Sequence, residues 1–203
     1  MKTHPAIGAI DFSEIPVGMH ATDAMLKRSP IAFVRSGSVT HGRYLTLIGG
    51  TTASVEEAMA EGLRWGAAAV LDHVLLADVH PGVFEAILGV RRPSGSGSLA
   101  VLETDTACAA IRAAEAALKG TPVELVELRL ADAGLSGKGL AILRGILHDL
   151  EAATALAMAV VAHGDSRLRV RVIAAPHDAT LRQLGHGSAF GLAELIALDG
   201  EGD

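Results

Sequence analysis

Aromatic side chains make up only 3% of this 203-residue chain, although half of its residues are hydrophobic. Any core must therefore be assembled from Ala, Val, Leu and Ile, which suits flat packing of helices on a sheet. A single cysteine, Cys108, excludes an intrachain disulfide and any multi-cysteine zinc or iron site within one chain, and fits a reducing compartment. Positive charge is also short: 17 Lys and Arg stand against 23 Asp and Glu, a net charge of −6. That balance argues against sequence-independent binding to nucleic acid phosphates or anionic membranes. No stretch reaches about 18 uninterrupted apolar residues, and the opening MKTHPAIGAI lacks the apolar core of a signal peptide. The expectation is a cytosolic protein.

What the chain does have is self-similarity. DAMLKRSPI at residues 23–31 returns as EAALKGTPV at residues 115–123. Pairing Ile7 with Leu99 sets an offset of 92 that holds without a gap through Ile31 and Val123. Ala21/Ala113, Ala24/Ala116, Leu26/Leu118, Lys27/Lys119 and Pro30/Pro122 are identical, and Asp11/Glu103 and Asp23/Glu115 keep their charge. The offset then moves to 95, pairing Gly42 with Gly137, Leu45 with Leu140 and Gly50 with Gly145, and to 97 where His80 meets His177. A period of this length is that of a domain rather than of a solenoid repeat, whose period is about 20–50 residues. The expected division is residues 6–88 and 98–184, with 89–97 (GVRRPSGSG) as a flexible linker and 185–203 as a C-terminal extension without counterpart in the first repeat. Within the extension, AELIAL is expected to add a short helix or strand, and the last residues to be disordered.

Each repeat reads as strand, helix, strand, strand, helix, strand, helix. In the first, Ile15, Met19, Thr22 and Leu26 have helical spacing, and Val55, Met59 and Leu63 lie on one helical face behind a Ser54-x-x-Glu57 capping box. PIAFVR and RYLTLIGG flank a small-residue loop as a hairpin does. In the second repeat RLRVRVI alternates, with Leu168, Val170 and Val172 on one face and three arginines on the other, a half-buried strand. Trp65 and the methionines are expected as core filler.

Several motifs carry no function in this context. GSGSLA at residues 95–100 matches a dinucleotide fingerprint but leaves a linker and enters a strand, where the fingerprint must open a helix. GLSGKG at residues 134–139 sits between two strands, with Asp132 and Gly139 where a phosphate loop needs Gly and Ser or Thr. Nine histidines include no pair at i, i+4 around a helical Glu, and no G-x-S-x-G elbow is present. No catalytic, metal or cofactor residue is assigned.

The Asp23-Ala-Met-Leu-Lys27 phrase, returning as Glu115-Ala-Ala-Leu-Lys119, each with its following proline, the Gly-flanked hairpin loop and the closing segment at His80-Pro81 and His177-Asp178, in the same order in both repeats, resemble the shell proteins of bacterial microcompartments. The resemblance is to the tandem-domain type and to the unpermuted strand order, because a strand precedes the first helix of each repeat. It implies an α+β fold of two ferredoxin-like shell domains, each an antiparallel sheet flanked by helices. It further implies a homotrimeric, pseudohexagonal tile, single or stacked, that neighbours other shell hexamers and pentamers. Lys27 and Lys119, with His80 and His177, are implied at the tile edges. His41 and Ser136, beside Gly42 and Gly137, are implied as the lining of a central pore for small polar metabolites. Neither loop holds the cysteine through which some tandem shell proteins bind an iron-sulfur cluster, so no electron-transfer role is carried over. The rival expectations are a trimeric small-molecule sensor and an enzyme acting at a subunit interface.

Overall fold

A computed structural model describes residues 5–92, 95–164, 166–193 and 196. Two copies of one βαββαβα unit follow each other. The first contains β1 (Ala6–Phe12), α1 (Ile15–Arg28), β2 (Phe33–Val39), β3 (Arg43–Gly50), α2 (Thr52–Gly66), β4 (Val70–Leu76) and α3 (Pro81–Ile87). The second contains β5 (Ser98–Thr104), α4 (Ala107–Gly120), β6 (Glu124–Leu130), β7 (Gly139–Gly145), α5 (Leu147–Val161), β8 (Leu168–Ile173) and α6 (Asp178–His186). The sheets are antiparallel, in the orders β2-β3-β1-β4 and β6-β7-β5-β8. Ile7 faces Gly49 as Leu99 faces Arg144, so the shift from 92 to 95 read in the sequence is the register of the two sheets.

β1 is central in its sheet and buried along its whole length, which is why AIGAIDF shows no apolar–polar alternation. On one face, α1 and α2 cover Ile10, Phe12 and Ile48 with Met25, Val55 and Met59. On the other, Ile7, Ala9, Leu47 and Val74 join α3 and continue without a break into Cys108, Ile111 and Leu118 of α4. The two units therefore share a core. Leu99, Val126 and Ile142 form a smaller cluster with Leu181 and Leu184 of α6.

Four local readings change. α2 is capped by Thr51, whose hydroxyl accepts from the Ser54 amide, so the helix starts three residues before the expected capping box. α1 buries Gly18, Ala21, Thr22 and Met25 and leaves Met19 57% exposed, with Leu26 also exposed. The helix carries two apolar stripes, and the single chain covers only the one facing β3 and α2. Met25 and Met59 are core, but Trp65 is exposed between His20 and Arg64, with its indole N–H on Glu61. In β8, an edge strand, Leu168 and Val170 are half-buried but Val172 is exposed, as the arginines beside it are. The connection also differs from a flexible linker over residues 89–92. The Arg92 amide donates to Val126 O, and Arg91 reaches Glu127 at 2.9 Å and Leu184 O at 2.8 Å. Most of AELIAL lies outside the described residues; ahead of it a 3-10 turn spans Phe190–Leu192.

The shared core puts Ile111, fully buried on α4, at the join between the units. Ile111→Ala is expected to lower stability by about 2–5 kcal/mol, the range for deleting a large aliphatic side chain from a closed core. Urea unfolding checks this; a loss below about 1 kcal/mol would contradict the shared-core reading.

Candidate functional site

The hairpin loops that the sequence marks in each repeat meet inside one chain. Thr40 is the hinge of their contact: its amide donates to Ala131 O at 3.1 Å, and its hydroxyl reaches Ala131 O at 2.7 Å and Asp132 O at 3.1 Å. The same hydroxyl oxygen accepts from the Gly137 amide at 2.9 Å. Arg43 Nη1 donates to Gly137 O at 3.0 Å and Asp105 O at 3.1 Å. His41 Nδ1 and Ser136 Oγ lie 3.5 Å apart, both residues exposed. His41 (φ 70°) and Gly42 (φ 69°) adopt the left-handed conformation, and so do Ser136 (φ 51°) and Gly137 (φ 83°). Outside glycine this conformation costs about 1–2 kcal/mol per residue. Its recurrence at matching positions of both units, with a histidine and a serine carrying the strain, fixes two small polar side chains at the tip of the paired loops.

The four residues implied at the edges fall into two unequal groups. Lys27 is 74% exposed and reaches only Asp23, at 2.6 Å, one turn back on α1. Lys119 is the same residue of the same phrase, yet it lies at the join of the units. It contacts Glu115 at 2.9 Å, Asp78 at 3.8 Å and the Asp78 carbonyl, and Glu115 in turn accepts from the His80 amide at 3.0 Å. His80 and His177 each cap a helix, their Nδ1 atoms accepting from the Gly82 and Ala179 amides at 3.1 Å.

Stripe by stripe, the two helices are equivalent in sequence and opposite in burial. Cys108, Ile111, Glu115 and Leu118 of α4 are buried in the join; Pro16, Met19, Asp23 and Leu26 of α1 hold the matching positions and are exposed. The spacing of three and four residues puts each set along one face. Sequence reasoning missed this asymmetry because nothing in the repeated phrase says which copy finds its partner within the chain.

The join also holds charge. Asp72 of β4 receives a bidentate Arg112 at 2.8 Å and the Thr106 hydroxyl. The Cys108 thiol, 3.7 Å from Asp72 O, is pushed well up in pKa by burial and by Asp72 and Asp11, so it is an inert thiol. Asp11, towards the end of β1, is fully buried, with no well-formed hydrogen bond to either carboxylate oxygen among the described residues and a long ion pair to Arg43 Nη1 at 3.7 Å. Burial pushes its carboxyl up to about 6, against the partial opposition of Arg43 and the Ala107 amide. Asp105, held by Arg169 at 2.8 Å and by Arg167 at 3.2 Å, goes the other way, to about 2. Among the described residues no group of three or more metal-ligating side chains converges, and no helix is long and apolar enough to cross a membrane.

A duplicated βαββαβα unit whose two hairpin loops meet at a polar tip defines a tandem shell-type domain pair. The chain belongs to the BMC domain family, which it matches twice, over residues 6–79 and 98–176. It is 31% identical over 184 residues to the bacterial microcompartment shell protein PduT of Citrobacter freundii, covering 90% of this chain and 98% of that one. Among solved structures, a microcompartment protein from Desulfitobacterium hafniense DCB superposes with a TM-score of 0.76 at 31% identity, over 89% of this chain and 99% of the other. The fused permuted hexameric shell protein MSM0275 from the RMM microcompartment shares the fold, with a TM-score of 0.58 at 22% identity over 80% and 84% of the two chains.

Because Asp11 binds its proton more tightly folded than unfolded, its charge weakens the fold above pH 6. That penalty is released as the pH falls through 6 and is gone below the unfolded value of 3.8. Asp11→Asn is therefore expected to raise the melting temperature by several degrees at pH 7.5, corresponding to at most about 3 kcal/mol, and to change it little at pH 4. Thermal unfolding at both pH values checks this; an equal effect at both would contradict a buried Asp11 whose charge Arg43 only partly offsets.

Proposed function

We propose that three copies of this chain close head to tail into a six-domain tile, with the paired loops at its centre. The observation that carries this reading is the exposed stripe of α1. In α4 the same stripe packs on β4 and α3 of the preceding unit; in α1 it is exposed, and among the described residues no first helix of another unit packs on β8 and α6. Repeating the intrachain join between α6 and β8 of one chain and α1 of the next satisfies both. Such a heterologous contact either closes into a ring or runs on as a filament, and two domains per chain with three chains give the six-fold closure expected of the family.

Within the BMC domain family, the full-length match to a shell protein makes this chain a structural component of a bacterial microcompartment shell, a cytoplasmic assembly. The family is structural rather than catalytic, and the comparisons give no support to a metabolite sensor. We take residues 6–88 and 98–184 as the two shell domains. In the tile, three His41 side chains alternate with three Ser136 hydroxyls around the axis, a ring of hydrogen-bond donors and acceptors suited to small polar metabolites. Lys27 and Lys119 face neighbouring tiles, with His80 and His177 nearby, and other shell hexamers and pentamers complete the surface.

Two experiments test this. Lys119 also holds Glu115 and Asp78, and Lys27 takes the matching place at the repeated join, so a charge reversal at either would disturb the join itself; Lys27→Gln combined with Lys119→Gln avoids that. The double variant is expected to keep its trimer mass by light scattering and to lose sheets in electron micrographs. Unchanged sheets would return both lysines to a solvated role. For the pore, flux of a small anion through shells is expected to fall in the order His41→Ala, wild type, His41→Asp, since a ring of carboxylates opposes anions. Equal flux in all three would show that this loop does not line the passage.

A further inference from the structure

The C-terminal extension is the part of the chain that the repeat does not explain, and it borders a cavity. Between the two units lies a space of about 730 Å³, within the range of small-molecule sites. One wall is the face of β2 and β3 that carries Arg35, Gly37, Leu45 and Leu47, with Ile87 from the end of α3. The facing wall is β6, where Glu127, Leu128, Arg129 and Leu130 follow one another and all border the space. The extension contributes Ala189 and Leu192 to its rim. It is tied down at Ser188, whose amide donates to Glu127 Oε2 at 3.1 Å and whose hydroxyl meets Arg129 Nη1 at 3.1 Å. The first unit's own sheet is thus left partly uncovered where α6 covers the second.

The charges in this cavity do not cancel. Three guanidinium groups, Arg35, Arg91 and Arg129, face two carboxylates, Glu127 and Asp132. Both carboxylates are already engaged: Glu127 with Arg91 at 2.9 Å and Asp132 with Arg129 at 3.0 Å. Arg35 pairs with no carboxylate among the described residues. Its single hydrogen bond goes to Ile87 O at 3.3 Å, which leaves most of its five N–H donors uncommitted. An unpaired guanidinium at the mouth of a cavity lined by both apolar and charged side chains, in a chain of net charge −6, is a local exception to the protein's own field. Gly37, on the same face as Arg35, keeps the space open: a Cβ built there meets nothing within 4 Å, and its backbone is extended.

We propose that this cavity binds a small organic carboxylate with a short hydrocarbon chain. The carboxylate sits on the fork of Arg35, which matches it in a bidentate geometry, and the chain lies among Leu45, Leu47, Ile87, Leu128 and Leu130. The site is built by the fold and the extension of one chain, so it stands independently of the pore and edge assignments.

The test is titration calorimetry of the purified full-length protein with butyrate, and with butanol and butylamine as the neutral and cationic probes of the same chain length. Butyrate is expected to bind and the other two not. Arg35→Gln should weaken butyrate at least about tenfold, the loss of one charged hydrogen-bonded pair. Gly37→Leu should abolish binding by filling the cavity while leaving the melting temperature without ligand within a few degrees of wild type. Absence of butyrate binding, equal binding of the three probes, or undiminished binding in Arg35→Gln would overturn the proposal.

Discussion

One packing requirement governs this molecule: the face of the first helix in each unit must be covered by the β4-type strand and last helix of the unit before it. In α4 that requirement is met within the chain, where Cys108, Ile111 and Leu118 close a core shared with Val74, Val83 and Phe84. Around this apolar centre sit Asp72–Arg112 on one side and Glu115 with the His80 amide and Lys119 on the other. Apolar contact in the middle with hydrogen-bonded charge at its ends is how a durable interface is built. The chain thus contains a worked example of the contact that the proposed tile repeats between chains.

The same requirement explains what could be read from residues alone. The duplication was legible because gene-level repetition preserves spacing: the offsets of 92 and 95 reappear as strand register, and both hairpin loops fall where their glycines placed them. Element order followed from local pattern in the same way. Met19, expected in the core, is exposed instead, because periodicity reports that a face is apolar, not whether its partner is in the same chain. Thr51 displaced the expected capping box at Ser54 because both residues can cap, and the turn out of β3 decides between them. Asp11 gave no signal of burial: a carboxylate ending a strand ordinarily points to water, and only the docking of α4 removes that water.

Where the repeats diverge, the divergence concentrates at places a perfect six-fold repeat would leave identical. His41 and Ser136 occupy equivalent loop positions with different chemistry, so a duplicated chain presents two kinds of side chain alternately where a single-domain chain would present one. The extension, present once per chain, borders one inter-unit cavity through Ala189 and Leu192 and ties down through Ser188. The cavity could not have been found in the sequence, since its walls come from β2, β3, α3, β6 and the extension, joined only by folding. Arg35 in a solvated strand and Arg35 at the mouth of a cavity are the same letter.

The central claim is that the join between the two units recurs between chains and closes after three. The direct measurement places cysteines at Asp23 of α1 and His177 before α6, the counterparts of Glu115 and His80, and treats the protein with a short bis-maleimide. Native Cys108 is buried and does not compete. Denaturing gels are expected to show a ladder of cross-linked chains that stops at three. Monomer alone, or a ladder running on past three, would contradict a closed ring built by repeating this join.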